Sequence, residues 1–367
     1  MQFLIIITII SFFLFLFLKR RKANLQRVQK QSYEKLLPEN STHEFLSFDQ
    51  DEVLSNVKHN AKTVYFVHGT FVGSDPIDLI SLLENAFPNL SSTIIPKIRQ
   101  QTKSGQDFLI RDFGNFHKQT IEKVKGHFNE STKFINYTWS SSNHHYARVK
   151  GALELLLDIL RNCDKDSKVL LYGHSHAGQL FSLITLILND ELIRKQIITA
   201  MELEQDQRRV LFEAISLAKH LKFDFVTLGT PIRYPWKLSK NMNLLHVINH
   251  RGPIAQGGTV SSSMTTKNGD YIQQWAVEGS DILSPVSKER KINSELDLIL
   301  DMGPSIETLR RNIKFRKRLH DNGHHLLVDF KDDSKLPNAL LTLFGHASYT
   351  KEAKFKWIVE KSIHYFN

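Results

Sequence analysis

LLYGHSHAG, from Leu170 to Gly178, runs a short apolar segment into a cluster of small and polar residues, and a second apolar stretch, Gln179–Leu188, follows at once. A brief apolar run bounded by turn residues is what a strand buried on both faces looks like, and the longer run behind it has the length of a helix. Ser175 sits at the join. A reversal from strand to helix within so few residues crowds the backbone, and the positions two residues either side, Gly173 and Ala177, are both small, as that crowding requires. A helix beginning there also turns its free backbone N–H groups, and the positive end of its dipole, towards whatever lies in front of Ser175.

Outward from this point the chain alternates between short apolar runs and helical stretches. Strands are expected near Glu44–Phe48 and at Thr63–Val67, Lys133–Thr138, Lys168–Tyr172, Phe223–Leu228, Leu244–Ile248, Gln274–Val277 and His325–Val328. Helices are expected at Tyr146–Arg161 and Gln179–Leu188, with an amphipathic helix closing the chain. Strands alternating with helices predict an α/β architecture, a mostly parallel sheet covered on both faces. Residues 59–367 read as one domain without internal repeats.

Two further segments carry chemical meaning. VYFVHGTFVGSDP, Val64–Pro76, ends a strand in His68-Gly69-Thr70-Phe71, and FVTLGTPIRYPW, Phe225–Trp236, ends another at Gly229 and Pro231. Together with the Gly173–Gly178 turn, they resemble the α/β-hydrolase superfamily in its lipase and esterase branch, over about residues 60–350. The turn resembles the G-x-S-x-G nucleophile elbow, with Ala177 in place of the last glycine, and the His68-Gly69 segment resembles the loop that supplies part of the oxyanion hole. The resemblance implies Ser175 as nucleophile and the backbone N–H groups of Thr70 and His176 as oxyanion donors. It also makes the irregular, Gly- and Ser-rich stretch 232–271 the expected place for a lid or acyl pocket.

The resemblance further implies a histidine after the last strand and an acid before it in the chain. Of 17 histidines, His346 in LFGHASY lies in the right place, whereas His324 and His325 lie before or within the strand and read as structural, and His364 reads as a surface residue. For the acid, the turn after LLHVI holds Arg251, Gly252 and Pro253. Asp281, after QQWAVEGS, is chosen, with Asp329 and Asp270 in reserve. The chemistry so implied is acyl transfer from a carboxylic ester through a Ser175–His346–Asp281 triad; an acyltransferase or thioesterase would use the same groups, and an inactive hydrolase fold would use them only to bind.

Composition narrows the remaining classes. A hydrophobic content of 41% with 23% charged residues suits a folded domain and argues against disorder. One cysteine, Cys163, excludes a disulfide framework and a cysteine-rich zinc site. The net charge of +10 is concentrated in Lys19–Lys22 and in the run Arg310–His320, with no nucleic-acid-binding motif beside either. Residues 3–18 (FLIIITIISFFLFLFL) approach the length of a bilayer span and lead directly into KRRK. They predict an uncleaved single-pass anchor over 1–18, a juxtamembrane stalk with the first strand over 19–58, and a cytoplasmic catalytic domain by the positive-inside rule. The expected partners are then the membrane and a hydrophobic ester or lipid substrate. No metal or cofactor motif is present.

Overall fold

The computed structural model describes residues 41–52, 57–69, 75, 100, 115–251, 269–276, 280–300, 318–331 and 345–367. The expected anchor at 1–18, the stalk up to residue 40, Thr70, most of the basic run at 310–320 and residues 252–268 of the expected lid lie outside the described residues. No helix among the described residues is long and apolar enough to cross a membrane.

Seven strands form one sheet: β1 (Ser41–Ser47), β2 (Thr63–Val67), β3 (Lys133–Tyr137), β4 (Lys168–His174), β5 (Lys222–Leu228), β6 (Met242–Asn249) and β7 (Gly323–Asp329). Every neighbouring pair is parallel, in the order β1-β7-β6-β5-β4-β2-β3. The described helices of five residues or more are α1 (Lys118–Val124), α2 (His145–Asn162), α3 (Ala177–Asn189), α4 (Glu191–Ala200), α5 (Gln205–Ala218), α6 (Tyr271–Trp275), α7 (Ser287–Leu300) and α8 (Glu352–Phe366). The architecture is therefore α/β with an all-parallel sheet.

The two-residue period of the strands builds both cores. Tyr65, Val67, Val169, Leu171, Phe223, Phe225 and Leu244 face one side, where they pack with α2, α3, α5 and α7. Their alternates Val64, Phe66, Leu170, Tyr172, Val226, Leu228, Leu245 and Val247 face the other, with α1 and α8. Because both faces are covered, a slip of one residue in any central strand would exchange the two cores, so the hydrophobic pattern fixes the register strongly. Helix α3, directly behind Ser175, has twelve of its thirteen residues buried, the mark of a helix enclosed by neighbours on all sides.

One expected strand is corrected. Gln274 and Trp275, read as the start of a strand, belong to α6, because the Asp270 carboxylate accepts the N–H of Gln273 at 2.8 Å and caps a helical turn there. β1 is joined along its whole length to β7, so the chain's early strand and its last strand lie side by side at one edge of the sheet.

Candidate active site

Strand order locates the site. The chain leaves β2 for β3 on one side and leaves β4 for β5 on the other, which makes β2/β4 the switch point of the sheet, where parallel α/β sheets leave a crevice beyond the strand ends. His68 and Gly69 follow β2 and His174 and Ser175 close β4, so the two segments singled out in the sequence meet at this crevice. They meet closely. A Cβ on Gly69 would lie 2.7 Å from the Cβ of Ser175, a separation only glycine permits.

Ser175 has φ of +56°, the left-handed region that costs a non-glycine residue about 1–3 kcal/mol. Two hydrogen bonds hold it there: its N–H donates to the Leu228 carbonyl at 2.8 Å, and its own carbonyl accepts from the Thr230 hydroxyl at 2.8 Å. Helix α3 starts two residues on, and the backbone N–H of His176 has no acceptor among the described residues. The crowded position behind the turn is Gly178, where an added Cβ would fall 2.1 Å from the Thr230 hydroxyl; Ala177 is accommodated.

His346 opens the 3-10 turn His346–Thr350, after β7, and is buried at 5% exposure. Its backbone carbonyl lies 2.9 Å from His174 Nε2, and the two imidazoles have centroids 4.6 Å apart, so the turn is docked against the residue that precedes Ser175. The Nδ1 of His346 is 2.7 Å from Asp270 Oδ2, and Nε2 has no hydrogen-bond partner among the described residues. A carboxylate on Nδ1 fixes that nitrogen as the N–H and leaves Nε2 as the lone-pair acceptor. Asp270 is completely buried. Burial alone would raise its pKa, but the neighbouring His346, the Gln273 N–H and Arg318 outweigh that and hold it below the usual carboxylate value.

Asp281, the acid chosen from sequence, is not the partner of His346. It is buried between Arg148 and Arg233: Arg148 Nη2 hydrogen-bonds its Oδ2, and Arg233 Nη2 lies 3.1 Å from the same oxygen. Against the penalty of burial, the two guanidinium groups hold its pKa down at about 2. Arg148, fully buried, also donates to Tyr234 and Asn143, each at 2.8 Å. The sequence has an Asp after a turn in both places; the structure brings Asp270 to the histidine and gives Asp281 to two cations. Asp329, the other reserve, is at the end of β7 and pairs with Arg251 at 2.6 Å.

No family model, no curated protein and no solved structure matches the chain. The chemistry of the site rests on its own residues. The hydroxyl of Ser175 lies 3.4 Å from Nδ1 of His176, and among the described residues the Nε2 atoms of both His176 and His346 lack a hydrogen-bond partner. Burial, with Arg148 nearby, pushes the His176 imidazole far below its usual pKa, so it is neutral. Two groups had no place in the sequence reading. Tyr349 donates to Asp270 Oδ2 at 2.9 Å, and Asn249, the last residue of β6, touches the pair from three directions: its N–H donates to the Tyr349 hydroxyl at 2.8 Å, its side-chain amide to the Gly345 carbonyl at 2.9 Å, and its carbonyl accepts from the Asp270 N–H at 2.8 Å. A signal for Asp270 was present: Asp270 and Gln273 have the Asp-x-x-Gln spacing of a helix start, which argues for a cap, not a strand. Among the described residues no cluster of His, Cys, Asp or Glu could hold a metal ion.

Proposed function

We propose that this protein is a serine hydrolase of the α/β-hydrolase type, acting on a carboxylic ester with Ser175 as nucleophile, His346 as general base and Asp270 as the acid that orients it. The observation that carries this reading is the buried Asp270–His346 pair, with its vacant Nε2, packed against the strained turn that presents Ser175. In the reaction, Ser175 Oγ attacks the acyl carbon as its proton passes to His346 Nε2. Asp270 stabilises the imidazolium that results, and the alkoxide leaving group takes the proton from it. The backbone N–H of His176, just before α3, is one oxyanion donor that the resemblance implies, with Thr70 as the second. Water, activated by the same histidine, then releases the acid and regenerates Ser175.

The apolar run 3–18 favours a hydrophobic acyl or lipid ester, presented at a membrane beside a cytoplasmic domain. A comparison of short- and long-chain acyl esters tests that; a sharp preference for short chains would count against it.

The test of the mechanism is labelling by a fluorophosphonate, which reacts with activated serines. Wild type should label, while Ser175→Ala, His346→Ala and Asp270→Asn should lose the label or react slower by about three to four orders of magnitude. Folded wild type that does not label, in detergent or with lipid, would favour a binding protein built on the same fold.

A further inference from the structure

Asp270 Oδ2 accepts two hydrogen bonds, one from His346 Nδ1 at 2.7 Å and one from the hydroxyl of Tyr349 at 2.9 Å. The phenol does not choose its direction freely. The Asn249 N–H donates to its oxygen at 2.8 Å, which leaves the phenolic proton to point at the carboxylate. The ring is fully buried, stacked edge-on against Phe330 and tilted against His174, and lies three residues from His346 on the same turn. The other carboxylate oxygen, Oδ1, takes the Gln273 N–H at 2.8 Å. Every direction in which Asp270 could rotate is therefore set by a donor.

We propose that Tyr349, oriented by the backbone of Asn249, is a positioning residue for the base: it fixes the Asp270 carboxylate and draws charge from the oxygen that faces His346. The inference rests on the reading of Asp270 and His346 given above. Its physical content is a competition at one oxygen. Whatever negative charge the phenol withdraws from Oδ2 is unavailable to the imidazolium formed in the reaction, so the phenol weakens the pull of the carboxylate on the proton that His346 must release. Other groups face the pair from neighbouring elements: His174 from the end of β4, His176 before α3, His250 after β6 and Arg318 before β7. All four are common to wild type and variants, so a difference between them isolates the phenol.

The experiment is the pH dependence of fluorophosphonate labelling of the full chain. Tyr349→Phe should move the acidic limb upward by about half a pH unit, so that labelling on that limb slows about threefold while the plateau at high pH falls far less. Replacing Tyr349 alone by 3-fluorotyrosine keeps the shape and makes the phenol a stronger donor, so the limb should move the other way even if the phenylalanine variant folds poorly. Tyr172→Phe is the control, since it removes another buried phenol whose hydroxyl meets Ser362 at 2.7 Å, away from the site, and should leave the limb in place. A limb unmoved by both substitutions at Tyr349, or moved equally by Tyr172→Phe, overturns the proposal. If Asp270→Asn and His346→Ala label like wild type, the underlying assignment fails instead, and the two failures are distinct.

Discussion

Replacing Asp281 with asparagine removes a carboxylate that meets two buried cations instead of His346. The side chain of Asp281 is 1% exposed, and those of its partners Arg148 and Arg233 are 0% and 1% exposed. Asparagine keeps the shape and removes the charge, so two buried guanidinium groups lose the anion they share. Breaking a single buried pair from one side costs about 3–5 kcal/mol, because the remaining charge stays buried without compensation. Against a total stability of about 5–15 kcal/mol, that raises the unfolded fraction by about two to four orders of magnitude. In urea the midpoint should fall by at least about 1 M, given a slope of roughly 1–3 kcal/mol per molar. The same variant should label with fluorophosphonate at close to the wild-type rate per folded molecule, measured well below the new midpoint. Asp270→Asn should do the reverse, losing reactivity by about four orders of magnitude with a smaller loss of stability.

The pH dependence has a definite sign. Asp281 has a folded pKa of about 2, below its ordinary value near 3.8. Its contribution is therefore complete above about pH 4 and is lost as pH falls towards 2, a difference of about 2–3 kcal/mol. Wild type should lose stability across that window and the asparagine variant should lose less. Substituting Arg148 by methionine in the same chain removes one of the stranded cations and should recover part of the loss. The reasoning is refuted if Asp281→Asn shifts the midpoint by less than about 0.3 M, or if it abolishes labelling in molecules that remain folded.

Three further outcomes follow from other parts of the molecule. His246, His320 and His325 stack in the interior, with centroids 4.1 and 4.6 Å apart for the pairs involving His246. Burial lowers all three, His320 to about 4 and His325 to about 3, so their stabilisation is complete above about pH 6.5 and is lost as pH falls, by at most about 1.4 kcal/mol per pH unit for each histidine; a urea midpoint unchanged between pH 7 and 5 would contradict this. Gly69→Ala should abolish labelling, because its methyl group would sit 2.7 Å from the Ser175 Cβ; wild-type labelling would show that the two turns separate without cost. Thr230→Val removes the hydroxyl that holds the Ser175 carbonyl at 2.8 Å and should slow labelling and destabilise the fold by about 1 kcal/mol, read by labelling rate and urea midpoint.

The sheet was legible because its strands are buried on both faces, so each appears as an unbroken apolar run between polar turns; TVYFV maps onto β2 residue for residue. Their order was not, since the pairing of β1 with β7 links positions about 280 residues apart that no local pattern connects. The serine turn and the histidine were legible for a different reason. Ser175 stood between small neighbours at the join of a strand and a helix, and His346 was singled out by its place after the last expected strand. The acid escaped because a carboxylate's role depends on what it faces. QQWAV has the composition of a strand, but the Gln273 N–H donates to the Asp270 carboxylate and caps a helical turn over Tyr271–Trp275, and the carboxylate that meets His346 lies eleven residues upstream of the one chosen.

Asp270 and Asp281 are alike in most respects that are usually taken to mark a functional residue. Both are buried, both are held below the ordinary carboxylate pKa, and both lie between β6 and β7 in the chain. What separates them is the far side of the partner. Behind Asp281 stand two guanidinium groups, of which Arg148 also donates to Tyr234 and Asn143, so its charge is met by cations and not by an imidazole base. Behind Asp270 stands an imidazole with one nitrogen satisfied and the other buried without a partner. A buried polar atom without a hydrogen bond costs about 1–3 kcal/mol and calls for an explanation, of which a ligand or a moving proton is one. The perturbed pKa is common to both carboxylates and so cannot distinguish them; the vacant nitrogen beside a strained serine can.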